Sequence, residues 1–254
     1  MLLGYKTPIT DSSTGITWSA TVDTSVAYLK DGRPGGLCQL TTSGTSTLTA
    51  SFAHNPITVR CAALINISLD VGTTITATLK QTTTGYSVGA TTADVVLTAS
   101  GDKCVFFTWG GVTDVDGIQF SIPDEGQFTL GEIWASDALT DCIRSSWAVG
   151  TSGIARDVSI SGALYVSPSV ARRTVSAEYA PRDYDVDFAK YQQAVVDLSN
   201  NPRVLIAFDD ATQSAVEQTG MYARAISVGN LTGDSNGRYF ALSLTAEEMP
   251  GRAV

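Results

Sequence analysis

The chain has 254 residues, 43% of them hydrophobic, which excludes a disordered protein and is enough for a substantial core. Its formal net charge of −9 at pH 7 argues against tight DNA or RNA binding, because free nucleic-acid binders are basic. Charged residues make up only 16%, so Thr, Ser and Gly cover much of the surface. That composition suits antiparallel sheets and surfaces buried by neighbouring subunits.

Residues 1–127 are predicted to form a β-sandwich of the jelly-roll type. Short runs of alternating or β-branched residues follow one another, and clusters of Gly, Asp and Ser separate them at short intervals. The predicted strands are 47–52, 58–69, 74–79, 95–97, 104–109 and 117–122.

The turn at 123–126 is the predicted boundary, so residues 128–254 form a second, β-rich domain. It opens with a strand at 128–135. Strands at 157–166 and 170–179 are expected to form a hairpin with Pro168 at its tip. Further strands are predicted at 203–208, 221–228 and 238–244, with Asn236-Gly237 as a hairpin turn between the last two.

One helix is predicted, over about 184–200, and the expected architecture is a sheet with this helix against it. Asp183, Asp185 and Asp187 lie at its start, where they can accept hydrogen bonds from free backbone N–H groups and interact favourably with the helix dipole. Pro202 is expected to end the helix. Its apolar residues recur at steps of four and three: Tyr184, Phe188, Tyr191, Val195 and Leu198.

The sequence carries no recognisable catalytic pattern, so we predict a protein without enzymatic activity, metal or cofactor. The single histidine, His54, is expected in a loop; a hydrolase that uses it in a triad is the enzymatic alternative. Asp114 to Gly117 predicts a turn, with a calcium loop as the alternative. The three aspartates at the helix start could instead hold a metal, although residues two apart on a helix point to different sides.

Cysteines stand at 38, 61, 104 and 142, too far apart for a zinc knuckle or a redox pair. Buried thiols are expected, and two long-range disulfides are the alternative. The first residues contain no cationic flank followed by a long apolar run, and no stretch approaches about 18 unbroken apolar residues. We therefore expect neither a signal peptide nor membrane insertion.

Aromatic and basic residues suggest two further contacts. Trp109 and Trp134 fall in predicted strands and are expected in the core, whereas Trp18 is less constrained. Arg172 and Arg173 are adjacent on a predicted strand, so their side chains should point to opposite faces. In an acidic protein we expect them to form ion pairs between subunits.

The stretch Trp18-Ser19-Ala20, followed by 27–34 (AYLKDGRP), resembles the opening of discoidin-like sandwich modules. Such modules often bind carbohydrate. The resemblance implies that Trp18 and Tyr28 could contact a glycan, for example one on a host surface.

Residues 128–250 are similar in layout to tail proteins of long-tailed bacteriophages. The resemblance rests on 128–135, Arg172 to Thr174, the helix, the strand at 204–209 and the segment 242–248. It implies a virion structural protein, at the tail tip or distal tail, that forms a homo-oligomeric ring, with a hexamer as one candidate. The implied partners are the tail tube, the tail hub and DNA that passes the lumen without specific binding. The expected interface residues are Pro168, Arg172, Arg173, Phe188 and Tyr191.

A tail structural protein is therefore the leading prediction, located in the virion, with residues 1–127 as an outward-facing module. The alternatives are a carbohydrate-binding adhesion module and a neck or capsid decoration protein, since all of these reuse β-sandwiches.

Overall fold

A computed structural model of the chain describes residues 1–10, 14–31, 36–52, 57–81, 86–97, 103–140, 142–151, 156–158, 164–166, 171–179, 184–208, 212–229, 232–233 and 240–249. These residues form a mainly β protein, which confirms the predicted fold class. The α-helices are α1 (Tyr184–Asn200), where the helix was predicted, and the shorter α2 (Gln213–Thr219), which was not. Pro8–Thr10 and Val26–Lys30 are 3-10 helices. Within the described ranges, no helix has the length and apolar character needed to cross a membrane.

Twenty-two strands occur in the described residues. The strands up to residue 136 are β1 (Leu2–Tyr5), β2 (Gly15–Trp18), β3 (Thr21–Val22), β4 (Cys38–Thr41), β5 (Ser46–Ser51), β6 (Ile57–Ile65), β7 (Thr74–Gln81), β8 (Tyr86–Asp94), β9 (Val96–Leu97), β10 (Lys103–Val115), β11 (Gly117–Ile122), β12 (Gln127–Leu130) and β13 (Glu132–Ser136). The later ones are β14 (Ala138–Leu139), β15 (Cys142–Thr151), β16 (Arg156–Val158), β17 (Leu164–Val166), β18 (Ala171–Tyr179), β19 (Arg203–Ala207), β20 (Gly220–Val228), β21 (Thr232–Gly233) and β22 (Phe240–Glu248).

The predicted sandwich is confirmed. An outer sheet, in the order β2-β5-β11-β7-β8, packs on a central sheet, in the order β13-β6-β10-β9. Leu48 and Phe120 of the outer sheet and Leu64 and Phe107 of the central sheet are fully buried in their shared core. A small sheet, β12-β4-β3, adds Leu40 and its neighbours to the same core.

A larger C-terminal sheet runs in the order β14-β1-β19-β20-β22-β18-β15, with β21 beside β22. α1 covers one face of it, where Tyr191, Ala194 and Leu198 pack against residues such as Val204 and Met221. Helix against sheet is the architecture predicted for this half of the chain. The opposite face packs on the central sheet, so the fold stacks four layers.

The central sheet is buried on both faces because it lies between two other sheets. In β6, Ala62 and Leu64 face the outer sheet, whereas Cys61, Ala63 and Ile65 face the C-terminal sheet. A strand buried on both sides is expected to show an unbroken apolar run, and 61–65 is such a run.

The sheets do not divide at the predicted boundary between residues 127 and 128. β1, at the start of the chain, pairs with β19 and β14 in the C-terminal sheet. β13, which follows the boundary, pairs with β6 in the sandwich. β1 can approach the central sheet because Gly4 has no side chain: a Cβ there would overlap Cys61 Sγ and lie 2.8 Å from Ser136 Oγ.

The predicted hairpin of 157–166 with 170–179 is wrong. β18 pairs with β15 on one side and with β22 on the other, while β16 pairs with β17. The two ends of the predicted strand 157–166 thus pair with each other, and β18 has both of its edges occupied by other strands. Pro168 and the Asn236-Gly237 turn lie outside the described residues.

The four cysteines form no disulfide, and Cys38, Cys61 and Cys104 are buried, as predicted. Burial raises the pKa of the Cys61 thiol to about 12, against a smaller lowering by its hydrogen bond with Ser136. A thiol in that state is a packing group rather than a nucleophile.

Candidate functional site

A cavity of about 770 Å³ opens between the C-terminal half of α1 and the segment that follows β1. We call it the helix cleft. Its lining comes from the end of β1 and the residues after it, the start of β6, the residue between β13 and β14, and the C-terminal part of α1: Tyr5, Lys6, Thr7, Pro8, Ile57, Asp137, Gln193, Asp197, Asn200 and Asn201.

The spacing of the helix side chains explains why α1 serves both the core and the cleft. Gln193, Asp197 and Asn200 are four and three residues apart, so they share one polar face. The adjacent face buries Tyr191 and Leu198 against the C-terminal sheet. Apolar packing thereby holds the polar face beside β1, and Tyr5 is the cleft residue that takes part in that packing.

Asp197 is the centre of the helical side of the cleft. Its Oδ1 accepts a hydrogen bond from Gln193 Nε2 at 3.0 Å and lies 3.3 Å from Lys6 Nζ. Its Oδ2 is buried and accepts no hydrogen bond from the described residues. Lys6 has a left-handed backbone, with φ of 56°, which is unfavourable for a residue with a side chain and marks a sharp turn after β1.

Asp137 closes the other side of the cleft and is held by two cations. Arg60 Nε lies 2.9 Å from its Oδ1, and Lys190 Nζ lies 3.1 Å from its Oδ2. The lysine also donates a hydrogen bond to the carbonyl of Ala138, at 3.0 Å. Both carboxylates of the cleft are therefore compensated by cations of the same chain.

Tyr5 forms part of the cleft and keeps its proton. Burial raises the pKa of its phenol well above the usual range, and the carboxylates of Asp137 and Asp197 raise it further. At neutral pH it is thus a neutral aromatic ring with a hydroxyl group, a group that can both donate and accept hydrogen bonds.

A second cavity, of about 360 Å³, lies at the other end of β14. We call it the Trp109 groove. It contains an indole, an arginine and several hydroxyl groups: Leu2, Arg60, Thr91, Thr108, Trp109, Gly110, Thr140, Thr212 and Gln213 line it. Trp109 is half-buried and lines this groove rather than lying wholly inside the core, where we expected it.

Neither residue predicted to contact carbohydrate lies in these two cavities. The Trp18 indole N–H donates to the Thr41 carbonyl at 3.0 Å, and the ring packs edge-on against Phe128 at 5.9 Å. Tyr28 is exposed on its 3-10 helix. A glycan contact through either residue stays a prediction.

The two arginines predicted to pair between subunits pair within the chain instead. They do point to opposite faces: Arg172 Nη1 lies 3.3 Å from Glu247 Oε1, and Arg173 Nη2 lies 2.6 Å from Glu248 Oε1. Arg173 is buried and also donates to the Gly220 carbonyl, at 2.9 Å. The C-terminal strand β22 supplies both acids, a long-range pairing that the local sequence does not reveal.

The helix residues predicted for the interface are also engaged internally. Tyr191 is fully buried against the C-terminal sheet, and Phe188 is half-buried at the edge of the same core. His54 and Asp183 lie outside the described residues. Among the residues that are described, no three His, Cys, Asp or Glu side chains come together as a metal site would require.

Neither a protein-family model nor a curated protein matches the chain. Solved structures similar to it include the lectin domain of lectinolysin complexed with Lewis B antigen, a Streptococcus pneumoniae fucose binding module, and CpGH89CBM32-6 produced by Clostridium perfringens. Each of the three is 10% identical in sequence to this chain, and each alignment covers 52% of this chain. In the order given, the alignments cover 98%, 95% and 99% of the similar structures, with TM-scores of 0.43, 0.42 and 0.37. Similarity at this level assigns neither a ligand nor an activity to the chain.

Proposed function

We propose that this protein is a non-enzymatic carbohydrate-binding protein and that the helix cleft is its binding site. The observation that carries the proposal is the lining of the cleft. Gln193, Asn200 and Asn201 present amide groups, which both donate and accept hydrogen bonds, as sugar hydroxyls do. Tyr5 and Ile57 add apolar surface against which the C–H groups of a sugar ring can pack.

Charge in the cleft favours a neutral ligand over an ion. Lys6 faces Asp197, and Asp137 already has two cationic partners. An additional charge would find no unmatched partner there, whereas hydroxyl groups would find amides. A neutral glycan fits this arrangement better than a phosphate or a metal.

Binding is tested by screening the full chain on a glycan array and then titrating the best neutral oligosaccharide by calorimetry. Gln193→Ala and Asn200→Ala should each weaken binding about fivefold to tenfold, because each removes hydrogen bonds worth roughly 1 kcal/mol. Gln192→Ala is the matched control, since Gln192 is exposed on α1 but lies outside the cleft. Absence of glycan binding, or equal affinities of the Gln192 and Gln193 variants, would contradict the proposal.

A second candidate function is the virion structural protein that the tail resemblance implies. The observation in its favour is β15, a ten-residue strand that pairs with β18 alone within the described part of the chain. Ser145, Ser146 and Ala148 of this strand are exposed. A ten-residue open edge with a single charged residue, Arg144, is a site for pairing with another chain. Copies joined head to tail in this way close into a ring.

Assembly is tested by light scattering of the full chain over a range of concentrations. The ring predicts a discrete oligomer larger than a dimer, at a multiple of 26.7 kDa. Ala148→Lys should shift that oligomer towards monomer, because charge on an edge opposes strand pairing. A strict monomer at every concentration, or a dimer built on a two-fold axis, would contradict the ring.

A further inference from the structure

The two cavities lie at the two ends of the same short edge strand. Asp137, immediately before β14, lines the helix cleft, and Thr140, immediately after it, lines the Trp109 groove. Residues three apart in extended chain are separated by about 10 Å. A ligand longer than one sugar ring can therefore reach from one opening to the other along β14.

Arg60 forms the wall between the two openings. Its guanidinium lines the Trp109 groove and donates through Nη1 to the Gly110 carbonyl at 2.9 Å, while its Nε lies 2.9 Å from the cleft residue Asp137. One ion pair thus separates the cavities and fixes both at once.

The orientation of the Trp109 ring in its groove is fixed by packing and by a hydrogen bond. Its ring stacks on Phe107 at 6.4 Å, and its indole N–H donates to the Gly89 carbonyl. Gly89 has φ of 58°, and a Cβ there would lie 2.9 Å from Trp109 Cδ1, so the indole occupies space that only glycine leaves open. Thr91 also lines the groove, and its buried Oγ1 has no hydrogen-bond partner among the described residues.

We infer that the helix cleft and the Trp109 groove are two subsites of one surface, which binds an oligosaccharide laid along β14. This inference rests on the proposed carbohydrate function and extends it from a single cavity to a chain of sugars. A rigid indole beside threonine hydroxyls suits a sugar ring, which offers an apolar face and a polar rim. The cleft supplies the amides for one end of the ligand and the groove supplies the aromatic face for the other.

An extended peptide fits this surface less well than a glycan does. A peptide that added a strand to the sheet would need the outer edge of β14, which has two residues. The Ala138 carbonyl of that strand already accepts a hydrogen bond from Lys190 Nζ. A glycan needs no backbone ladder and can pass over the strand.

The test compares short and long members of the neutral glycan series that binds best on the array, titrated against the full chain. The hexasaccharide should bind wild type more tightly than the disaccharide. Trp109→Ala should weaken hexasaccharide binding about tenfold and change disaccharide binding by less than about twofold, because one aromatic contact is worth about 1 kcal/mol or slightly more. Trp109→Phe keeps an aromatic face and should retain most of the affinity.

Two results separate this inference from the proposed function. If the disaccharide binds but the hexasaccharide binds no tighter, or Trp109→Ala leaves both affinities unchanged, the two-subsite surface is wrong while the helix cleft stands. If no glycan binds, or if a peptide binds in its place, both are wrong. Near-ultraviolet circular dichroism of each variant confirms that it is folded before it is titrated.

Discussion

Replacing Arg203 by methionine is expected to destabilise the protein by about 3–5 kcal/mol near pH 8 and by clearly less near pH 5. Arg203 Nη1 lies 2.6 Å from Oε1 of Glu132, a carboxylate with no exposed surface. Tyr222 donates to the other oxygen of this carboxylate at 3.0 Å. Without the arginine, the fold must hold a buried, uncompensated charge or a protonated acid.

The direction of the pH dependence follows from Glu132. Burial raises its pKa to about 7, and Arg203 is the strongest influence that opposes the rise. An acid whose pKa is higher in the folded than in the unfolded state contributes stability below its unfolded pKa, and that contribution is lost as pH rises through the folded value. Removing Arg203 raises the folded pKa further, so the variant should lose more stability than wild type between pH 5 and pH 8.

Chemical denaturation at both pH values measures the effect. Arg224→Met is the matched control, because Arg224 is exposed on the neighbouring strand β20, and its free energy of unfolding should change by no more than about 0.5 kcal/mol. Adding Glu132→Gln to Arg203→Met should remove the extra pH dependence. A loss of the same size at both pH values in the single variant would mean that Glu132 is not the titrating group.

The buried cluster of Glu132, Arg203 and Tyr222 lies at the contact between two sheets. Glu132 and Trp134 belong to the central sheet, and Arg203 and Tyr222 to the C-terminal sheet. The guanidinium of Arg203 lies over the Trp134 ring, 5.9 Å from its centre, and Nε donates to Asn201 Oδ1 at 2.9 Å. Asn201 lines the helix cleft, so the buried ion pair also positions one wall of the candidate site.

The elements of the fold that could be predicted are those whose hydrophobic residues recur periodically within a short segment. The helix was predicted at about 184–200 and lies at Tyr184–Asn200, because steps of three and four identify an amphipathic helix within a short window. β5, β7 and β11 alternate strictly and were found in the same way. α2 was missed because its seven residues are too few to show a period, although Thr212 caps it by accepting from Ala215 N at 3.1 Å.

Strand partners were not predictable, and the site depends on them. β1 was not predicted, and nothing in its four residues shows that it pairs with β19, about two hundred residues later. That pairing brings Tyr5 and Lys6 beside Asn200 and Asn201 to form the cleft. From the sequence alone, the two asparagines were no more than the end of a helix. Similarly, the opposite orientations of Arg172 and Arg173 followed from strand geometry, whereas their partners on β22 did not.

Leu198→Ala is expected to lower the free energy of unfolding by about 2–5 kcal/mol, the usual cost of truncating a fully buried leucine. Leu198 lies in the core between α1 and the C-terminal sheet. Val196→Ala, on the same helix, is the control: Val196 is 48% exposed, and alanine is the better helix former, so stability should stay within about 0.5 kcal/mol of wild type. Guanidinium unfolding of both variants measures the difference.

Loss of the Leu198 side chain should also affect the helix cleft. α1 carries Gln193, Asp197 and Asn200 on the face next to the one that Leu198 packs against the C-terminal sheet. If apolar docking of the helix positions the site, Leu198→Ala should also weaken glycan binding under conditions where the variant remains folded, although Leu198 does not line the cleft. Val196→Ala should bind as wild type does. Equal stabilities of the two variants would show that the helix is not packed as described, and the cleft it forms with β1 would then lose its structural basis.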